Sequence, residues 1–375
     1  MGKWERVRLG DVADKISSNI AQKDLEANEG QYPIYGASGL IKFVDFYRHE
    51  NEYIAVVKDG AGIGRTMMLP AKSSVIGTMQ SLIPRKTINA KYLYYAVSSM
   101  NLARYYTGAT IPHIYFKDYK GELLPLPSLP VQQKIAAVLD KASALIEKRK
   151  TQIEKLDLLV KAQFIEMFGD PVMNPKNWIV TQVEDVIKYI EAGWSANGES
   201  RVRLDHELAV LKVSAVTAGI FNENEYKVIT DSIKKVVYPH KGDLLFSRAN
   251  TRELVGATCI IYNDHPMLLL PDKLWRILFN SKASYFYMKY ILSSKGIRNA
   301  LSAASTGTSG SMYNISMDKL RKIAIPLPPI DIQNQFSAFV QQVDTQKAVF
   351  QKSLEKLELN YKSLMQKCFR GEIFQ

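Results

Sequence analysis

Cysteine is all but missing from this chain of 375 residues. Only Cys259 and Cys368 are present, too few for a disulfide framework and suited to a reducing cytoplasm. No apolar run approaches the length needed to cross a bilayer. The first residues, Met1-Gly2-Lys3-Trp4-Glu5-Arg6, have no apolar stretch behind them, so no signal peptide is expected and the expected location is cytoplasmic. The five histidines, His49, His113, His206, His240 and His265, are scattered without metal-ligand spacing. There is no Gly-x-x-x-x-Gly-Lys-Ser/Thr phosphate loop. The Asp/Asn-Pro-Pro-aromatic run of amino-methyltransferases is missing too, since Asp170-Pro171-Val172 and Asn174-Pro175-Lys176 do not match it. Pro271-Asp272 lacks the downstream acidic-x-Lys of a nuclease centre. The run Gly60-Ala61-Gly62-Ile63-Gly64 has the look of a cofactor-binding glycine turn, but such a turn must open a helix. Here Arg65 to Leu69 reads as strand. The glycines are better read as a loop where main chain can approach a partner closely.

What the chain does have is a repeat. Pro125-Leu126-Pro127 returns 201 residues later as Pro326-Leu327-Pro328. At the same offset Glu154-Lys155-Leu156-x-Leu158-x-x-Lys161 returns as Glu355-Lys356-Leu357-x-Leu359-x-x-Lys362, and Phe168 falls on Phe369. A looser echo, Trp4…Leu9-x-Asp11-Val12 against Trp178…Val183-x-Asp185-Val186, marks the start of each half. The order is therefore globule (1–124), first long helix (125–171), globule (172–325), second long helix (326–375). In the first helix Leu139, Ile146, Ile153, Val160 and Met167 repeat every seven residues. In the second, Val340, Lys347, Leu354, Tyr361 and Cys368 do the same, with Val343, Phe350, Leu357 and Leu364 at the companion position. Sustained heptads mark a coiled-coil seam, and Arg149 and Lys347 interrupt the stripes as register-setting residues can. Gly169-Asp170-Pro171 stops the first helix.

The globules read as mixed strand and helix. Tyr53–Val57 and Arg65–Leu69 look like paired strands, and Leu208–Val213 and Leu244–Phe246 in the second globule look like strands; Ala90–Tyr106 and Ser284–Leu301 have helical spacing. Ser302–Ser311 is small and polar and is expected to be a ligand-facing loop. The fold class is thus α+β: two mixed α/β domains separated by a long antiparallel coiled coil of two helices, with an internal pseudo-twofold repeat. At 1.5 Å per residue a helix over 131–168 is about 57 Å long. Of the formal charge of +12, +10 sits on the globules, which carry net +4 and +6 against +1 for each helix segment. A basic excess on folded domains suits a polyanion.

With these features together the chain resembles the specificity subunit of type I restriction-modification systems, over essentially its whole length. The marks are Phe164-x-x-Met167-Phe168-Gly169-Asp170-Pro171…Asn174-Pro175-x-x-Trp178 after the first helix, and Pro-Leu-Pro followed by Gln at the start of both helices. In the second globule the marks are Ser247-Arg248-Ala249-Asn250-Thr251-x-Glu253-Leu254-Val255-Gly256 and Thr308-Ser309-Gly310-Ser311-Met312-Tyr313-Asn314-Ile315. Looser equivalents in the first are Tyr35-Gly36-Ala37-Ser38-Gly39, Gly60 to Arg65, and Thr107-Gly108-Ala109-Thr110-Ile111-Pro112. The resemblance implies two target-recognition domains, each reading one half of a split asymmetric site in double-stranded DNA. It implies spacer helices that dock two modification subunits, and no catalysis by this chain. S-adenosylmethionine would belong to the modification (adenine methyltransferase) subunits, and ATP with Mg to motor-nuclease restriction subunits. The competing readings are a self-sufficient DNA methyltransferase, which needs the missing motifs, and a coiled-coil scaffold with no nucleic-acid role.

Phosphate contacts use cations, hydroxyls and backbone N–H groups; base contacts favour Arg or Lys on guanine and Asn or Gln on adenine. On that basis the DNA-contacting candidates in the first globule are Tyr35, Ser38, Lys58, Arg65, Thr107, Thr110, His113, Tyr115 and Lys117. In the second they are Lys212, Ser214, Arg248, Asn250, Thr251, Arg252, Thr308, Ser309, Tyr313 and Asn314. Each could instead be a solvated loop or turn residue; Asn250 and Asn314 could cap turns, and Arg248 could pair with an acidic neighbour such as Glu253.

Overall fold

The structure, a computed structural model, describes residues 4–108, 112–307 and 312–374. The chain divides into two compact units, Met1–Thr151 with Phe350–Gln375, and Gln152–Val349. Each holds one globule and a stretch of both long helices.

In the first unit an antiparallel four-stranded sheet runs in the order Ala13–Ser17, Met79–Pro84, Tyr53–Val57, Thr66–Leu69. Tyr53–Val57 is buried along its whole length, which explains its unbroken apolar, β-branched sequence. The helix Ala90–Ser99 lays Tyr92, Leu93, Ala96 and Val97 against Ile54, Val56 and Leu82 of that sheet. A smaller sheet orders Gly39–Val44, Tyr32–Gly36 and Ser74–Val75, the last pair parallel. The helical spacing expected to reach Tyr106 breaks at Met100, which is extended, and resumes as a short 3-10 turn over Leu102–Tyr105. Ser98 and Ser99 turn their hydroxyls back onto the carbonyls of Tyr94 and Ala96, which competes with continued helix.

The second unit repeats this topology. Its main sheet runs Ile187–Ala192, Leu274–Phe279, Leu244–Ser247, Thr258–Ile260, again antiparallel throughout. Its smaller sheet runs Gly198–Glu199, Tyr226–Ile229, Ala209–Leu211, Leu268–Leu269, with one added edge strand and the same parallel pairing at the far side. The helix expected over Ser284–Leu301 is two helices, Tyr285–Ser293 and Lys295–Ala304, separated by Ser294 in an extended conformation. Residues Ser302 to Ala304 therefore belong to a helix rather than to the expected loop, and residues 308–311 of that stretch lie outside the described residues.

The two long helices run Leu129–Phe168 and Ile330–Arg370. The first ends where Gly169 takes a positive φ of 79° and donates its N–H to the carbonyl of Ile165, a conformation glycine adopts without steric cost. Within the first unit Ile135 and Leu139 are buried together with Cys368, and Tyr361 and Leu364 pack on the same cluster. Arg149, one of the two residues breaking the heptad stripe, stacks over the Phe350 ring at 4.7 Å. Within the second unit Phe164 meets Phe336 at 5.5 Å between ring centroids, and Asp157 meets Lys347 at 2.6 Å. In both units rising numbers on one helix face falling numbers on the other, so the pairing is antiparallel. Both cysteines are free and buried, and burial pushes the Cys259 thiol up to about 12 and that of Cys368 up to about 11.

Candidate nucleic-acid interface

Each main sheet carries the same loop frame at the end of its buried strand. In the first unit the Gly64 N–H donates to the Val57 carbonyl and the Val57 N–H to the Arg65 carbonyl, both at 2.9 Å, closing a tight loop. In the second the Gly256 N–H donates to the Ser247 carbonyl at 2.7 Å and the Ser247 N–H to the Ala257 carbonyl at 2.8 Å. Gly64 and Gly256 have positive φ values of 79° and 81°. A side chain at Gly64 would also meet the Ala103 backbone nitrogen at 2.8 Å, so glycine is needed there twice over. The glycine run opens no helix; the chain goes on into the strand Thr66–Leu69.

The residue leaving the buried strand is a cation in both frames. Lys58 donates its N–H to the Thr78 carbonyl (3.0 Å) and accepts from the Ile114 N–H (2.9 Å). Arg248 donates to the Lys273 carbonyl (3.0 Å) and accepts from the Ile315 N–H (2.9 Å). A second loop then crosses the first. Thr107 and His113 exchange two backbone bonds of 2.8 Å, as do Thr306 and Asn314. His113 bridges Asp59 in the first unit, and the Ala249–Asn250 strand pairs with Tyr313–Asn314 in the second.

The frame gathers most of the sequence-derived candidates in the first unit. Lys58 Nζ sits 2.5 Å from Asp59 Oδ2, and His113 Nδ1 sits 2.7 Å from Asp59 Oδ1. His113 stacks on Tyr115, and Lys117 Nζ lies 5.4 Å from the centre of the Tyr115 ring. Arg65 reaches from the glycine loop to the Ala37 carbonyl at 3.1 Å, which brings in the turn carrying Ser38. Tyr35 is half-buried in the strand before that turn. Thr107 is exposed at the base of the crossing loop; Thr110 lies outside the described residues.

In the second unit Asn250 is paired in register with Tyr313, and the Arg252 guanidinium lies 5.9 Å from the centre of the Tyr313 ring. Asn250 Oδ1 accepts from the Thr251 N–H at 2.9 Å, the turn-capping role open to it in the sequence. Asn314 is half-buried beside Thr306. Arg248 is engaged by Asp272 rather than Glu253: Nε donates to the Asp272 carbonyl at 2.8 Å and Nη2 to its carboxylate at 2.7 Å. Lys212 and Ser214 form a separate group around Glu225, at 3.9 and 2.6 Å. Thr308 and Ser309 lie outside the described residues.

The family profile described as the type I restriction modification DNA specificity domain matches residues 1–156 and 175–359. The chain belongs to that family. It is similar to the EcoKI specificity subunit of Escherichia coli, 27% identical over 331 residues that cover 81% of this chain and 70% of that protein. It is also similar to the MjaVIII specificity subunit of Methanocaldococcus jannaschii, 25% identical over 408 residues that cover 99% and 93%. Among solved structures, the S subunit of M. genitalium superposes with a TM-score of 0.59 at 15% identity, covering 98% of this chain and 96% of that one. That likeness supports the shared α+β fold with its long helices.

As a member of a DNA specificity family, the chain offers at the two frames the residue types that read duplexes. Cations and hydroxyls suit phosphates; Asn250 and Arg252 suit base edges. Sequence reasoning missed the acids that hold the cations, Asp59 and Asp272. Asp59 adjoins Lys58 and was within reach of inspection. Asp272 is 24 residues from Arg248 and is brought there by strand pairing. Burial would raise the Asp272 carboxyl, but bonds from Ser195 and Arg248 outweigh it and hold it below the ordinary carboxylate range. Sequence reasoning also missed Arg298, whose Nη2 donates to the Glu253 carbonyl and so braces the 250–256 loop from behind. Among the described residues no group of three or more His, Cys, Asp or Glu side chains could hold a metal ion, and no helix is long and apolar enough to cross a membrane.

Proposed function

We propose that this chain is the DNA-reading, non-catalytic subunit of a type I restriction-modification enzyme, with each globule reading one half of a bipartite asymmetric site. The observation that carries this reading is the twin loop frame. Two units share one backbone scaffold down to individual hydrogen bonds, yet present Lys58, Asp59 and His113 in one and Arg248, Asn250, Arg252 and Tyr313 in the other. One scaffold with two sets of side chains suits two different half-sites. The concentration of positive charge on the globules favours a duplex as the ligand.

The paired long helices are the proposed docking surface for two modification subunits, since they are the best-matched part of the repeat and equal surfaces suit two copies of one partner. In this reading S-adenosylmethionine is held by those subunits, and ATP with Mg by motor-nuclease subunits that join them. A relative in fold, at TM-score 0.55 and 16% identity, is described in terms of complex assembly and conformational transition of the type I system.

The test is to map methyladenine genome-wide in cells carrying this chain and its modification partner, then to exchange residues 172–325 for the matching segment of a relative. The exchange is expected to change one half of the methylated motif. A change in both halves, or in neither, overturns the modular reading. Methyl transfer by the isolated chain overturns the non-catalytic one.

A further inference from the structure

The cation leaving each buried strand is held by a carboxylate, and the two carboxylates come from different places in the frame. In the first unit the acid is Asp59, the next residue along the chain, and it grips both Lys58 and His113. In the second it is Asp272, which lies before the neighbouring strand Leu274–Phe279 and is itself bonded by Ser195. The position occupied by Asp59 in one frame is Ala249 in the other, since Lys58 and Arg248 make matching backbone bonds. The frame therefore does not dictate an acid at either place, yet each frame has one within 2.7 Å of its cation.

An acid is an unusual neighbour on a face that is to receive phosphates. Any DNA sequence offers phosphates, and a free Lys or Arg there adds to binding irrespective of sequence. A carboxylate against the cation competes with that pairing. In the second unit Asp272 occupies the Nε and Nη2 edge of the Arg248 guanidinium, its backbone carbonyl accepting from Nε and its carboxylate from Nη2, and this is one of the flat edges that grips phosphate or guanine in two bonds. It also fixes the direction of the remaining donors. Side chains at these positions are only partly exposed, 25% for Lys58 and 30% for Arg248, so the cations cannot swing away freely.

We propose that Asp59 and Asp272 are specificity-setting positioning residues, which restrain Lys58 and Arg248 from general phosphate pairing and hold them for base or phosphate contact in the matched half-site alone. This inference rests on the DNA-reading function proposed above. Its consequence is selective. Removing the acid should strengthen binding to unrelated DNA while weakening discrimination.

The experiment uses the full chain assembled with its modification subunits, with the methylated motif already mapped. Binding to a duplex with the motif and to one without it is measured from 50 to 200 mM salt for wild type, Asp272→Asn, Asp59→Asn and the double variant Arg248→Ala/Asp272→Asn. For each Asn variant the log–log salt slope on motif-free DNA is expected to steepen by about one phosphate's worth, so that affinity falls about 3- to 4-fold more than in wild type over that range. Methylation at near-match sites is expected to rise. The double variant should lose the extra slope, and Asp272→Glu, which restores the charge, should return it to wild type. Unchanged slope and unchanged off-site methylation in both Asn variants overturn the proposal, as does a steeper slope that survives loss of Arg248. If both Asn variants fail to fold, the acids are structural and the proposal falls. Wild-type assembly that does not discriminate the two duplexes sinks the DNA-reading function itself, a result distinct from all of these.

Discussion

Gln132 and Gln333, 201 residues apart, are both fully buried and make the same three bonds, each in its own unit. Gln132 Oε1 accepts from the Asn89 N–H at 2.7 Å, and Nε2 donates to the carbonyls of Pro127 (2.8 Å) and Thr87 (3.2 Å). Gln333 Oε1 accepts from the Ser284 N–H at 2.9 Å, and Nε2 donates to those of Pro328 (2.8 Å) and Lys282 (3.1 Å). Asn89 and Ser284 are the caps of the sheet-packing helices. One amide thus ties the start of a long helix, the Pro-Leu-Pro segment and the start of a globular helix. Tyr92 and Tyr287 reinforce the joint by donating their hydroxyls to the carbonyls of Pro125 and Pro326.

Replacing either glutamine by leucine roughly keeps the volume and strands three backbone groups, one of them buried (the carbonyl of Pro127 or Pro328) and two part-buried. Each such group costs about 1–3 kcal/mol when left unpaired. Gln132→Leu and Gln333→Leu are therefore expected to lower the urea midpoint clearly, and Leu at the exposed Gln351 is not. Equal midpoints for all three would show the joint to be energetically idle.

Lys347 occupies a heptad position and is anchored by both oxygens of Asp157, at 2.6 and 2.8 Å. The Asp157 side chain is half exposed, so the pair is worth little in water. Lys347→Leu is expected to leave stability within about 1 kcal/mol of wild type, or to raise it, because the stripe gains an apolar residue. Denaturant melts decide this; a loss well beyond that range means the ion pair sets helix register.

Tyr313 supports the Arg252 guanidinium and is paired with Asn250. We predict that Tyr313→Ala relaxes one position of the second half-site and costs about 1–3 kcal/mol at the matched base, leaving the first half-site unaffected. Binding to a panel of single-base variants of the motif is the measurement. Uniform weakening across the panel, with a shallower salt slope, assigns the cluster to phosphate contact instead.

Acid should loosen the second unit through Glu207. The Arg201 guanidinium and the Leu204 N–H pull its carboxyl down to about 2 from the ordinary 4.5. A depressed acid contributes stability above its unfolded value and loses it as pH falls through the folded one. The contribution is thus intact above about pH 4.5 and fades between there and about pH 2. Glu207→Gln is expected to flatten the melting-temperature profile over that window. An unchanged profile means the Arg201 pair persists in the unfolded chain.

The long helices were legible in the sequence because both of their signals are local. Heptad spacing and a constant 201-residue offset survive in one dimension, and the stop at Gly169 is a conformation that glycine favours, with positive φ. The buried strands Tyr53–Val57 and Leu244–Ser247 were legible for a similar reason, since burial on both faces demands an unbroken apolar run.

The sequence alone determined the family, the two-globule order and the helix register, because periodicity and punctuation are carried by neighbours in the chain. Tertiary structure decided the correspondence between the two loop frames. His113 and Asn314 keep the 201 offset, but Lys58 and Arg248 are 190 residues apart, and the loops that follow them differ in length. No constant shift aligns them; only sheet pairing does. The helix breaks at Met100 and Ser294, the grip of Asp272 on Arg248 and the isolation of Lys212 and Ser214 around Glu225 were likewise set by packing. That Asp272 reaches Arg248 depends on how strands distant in the chain lie side by side, and that register is fixed by burial of their faces rather than by any local pattern.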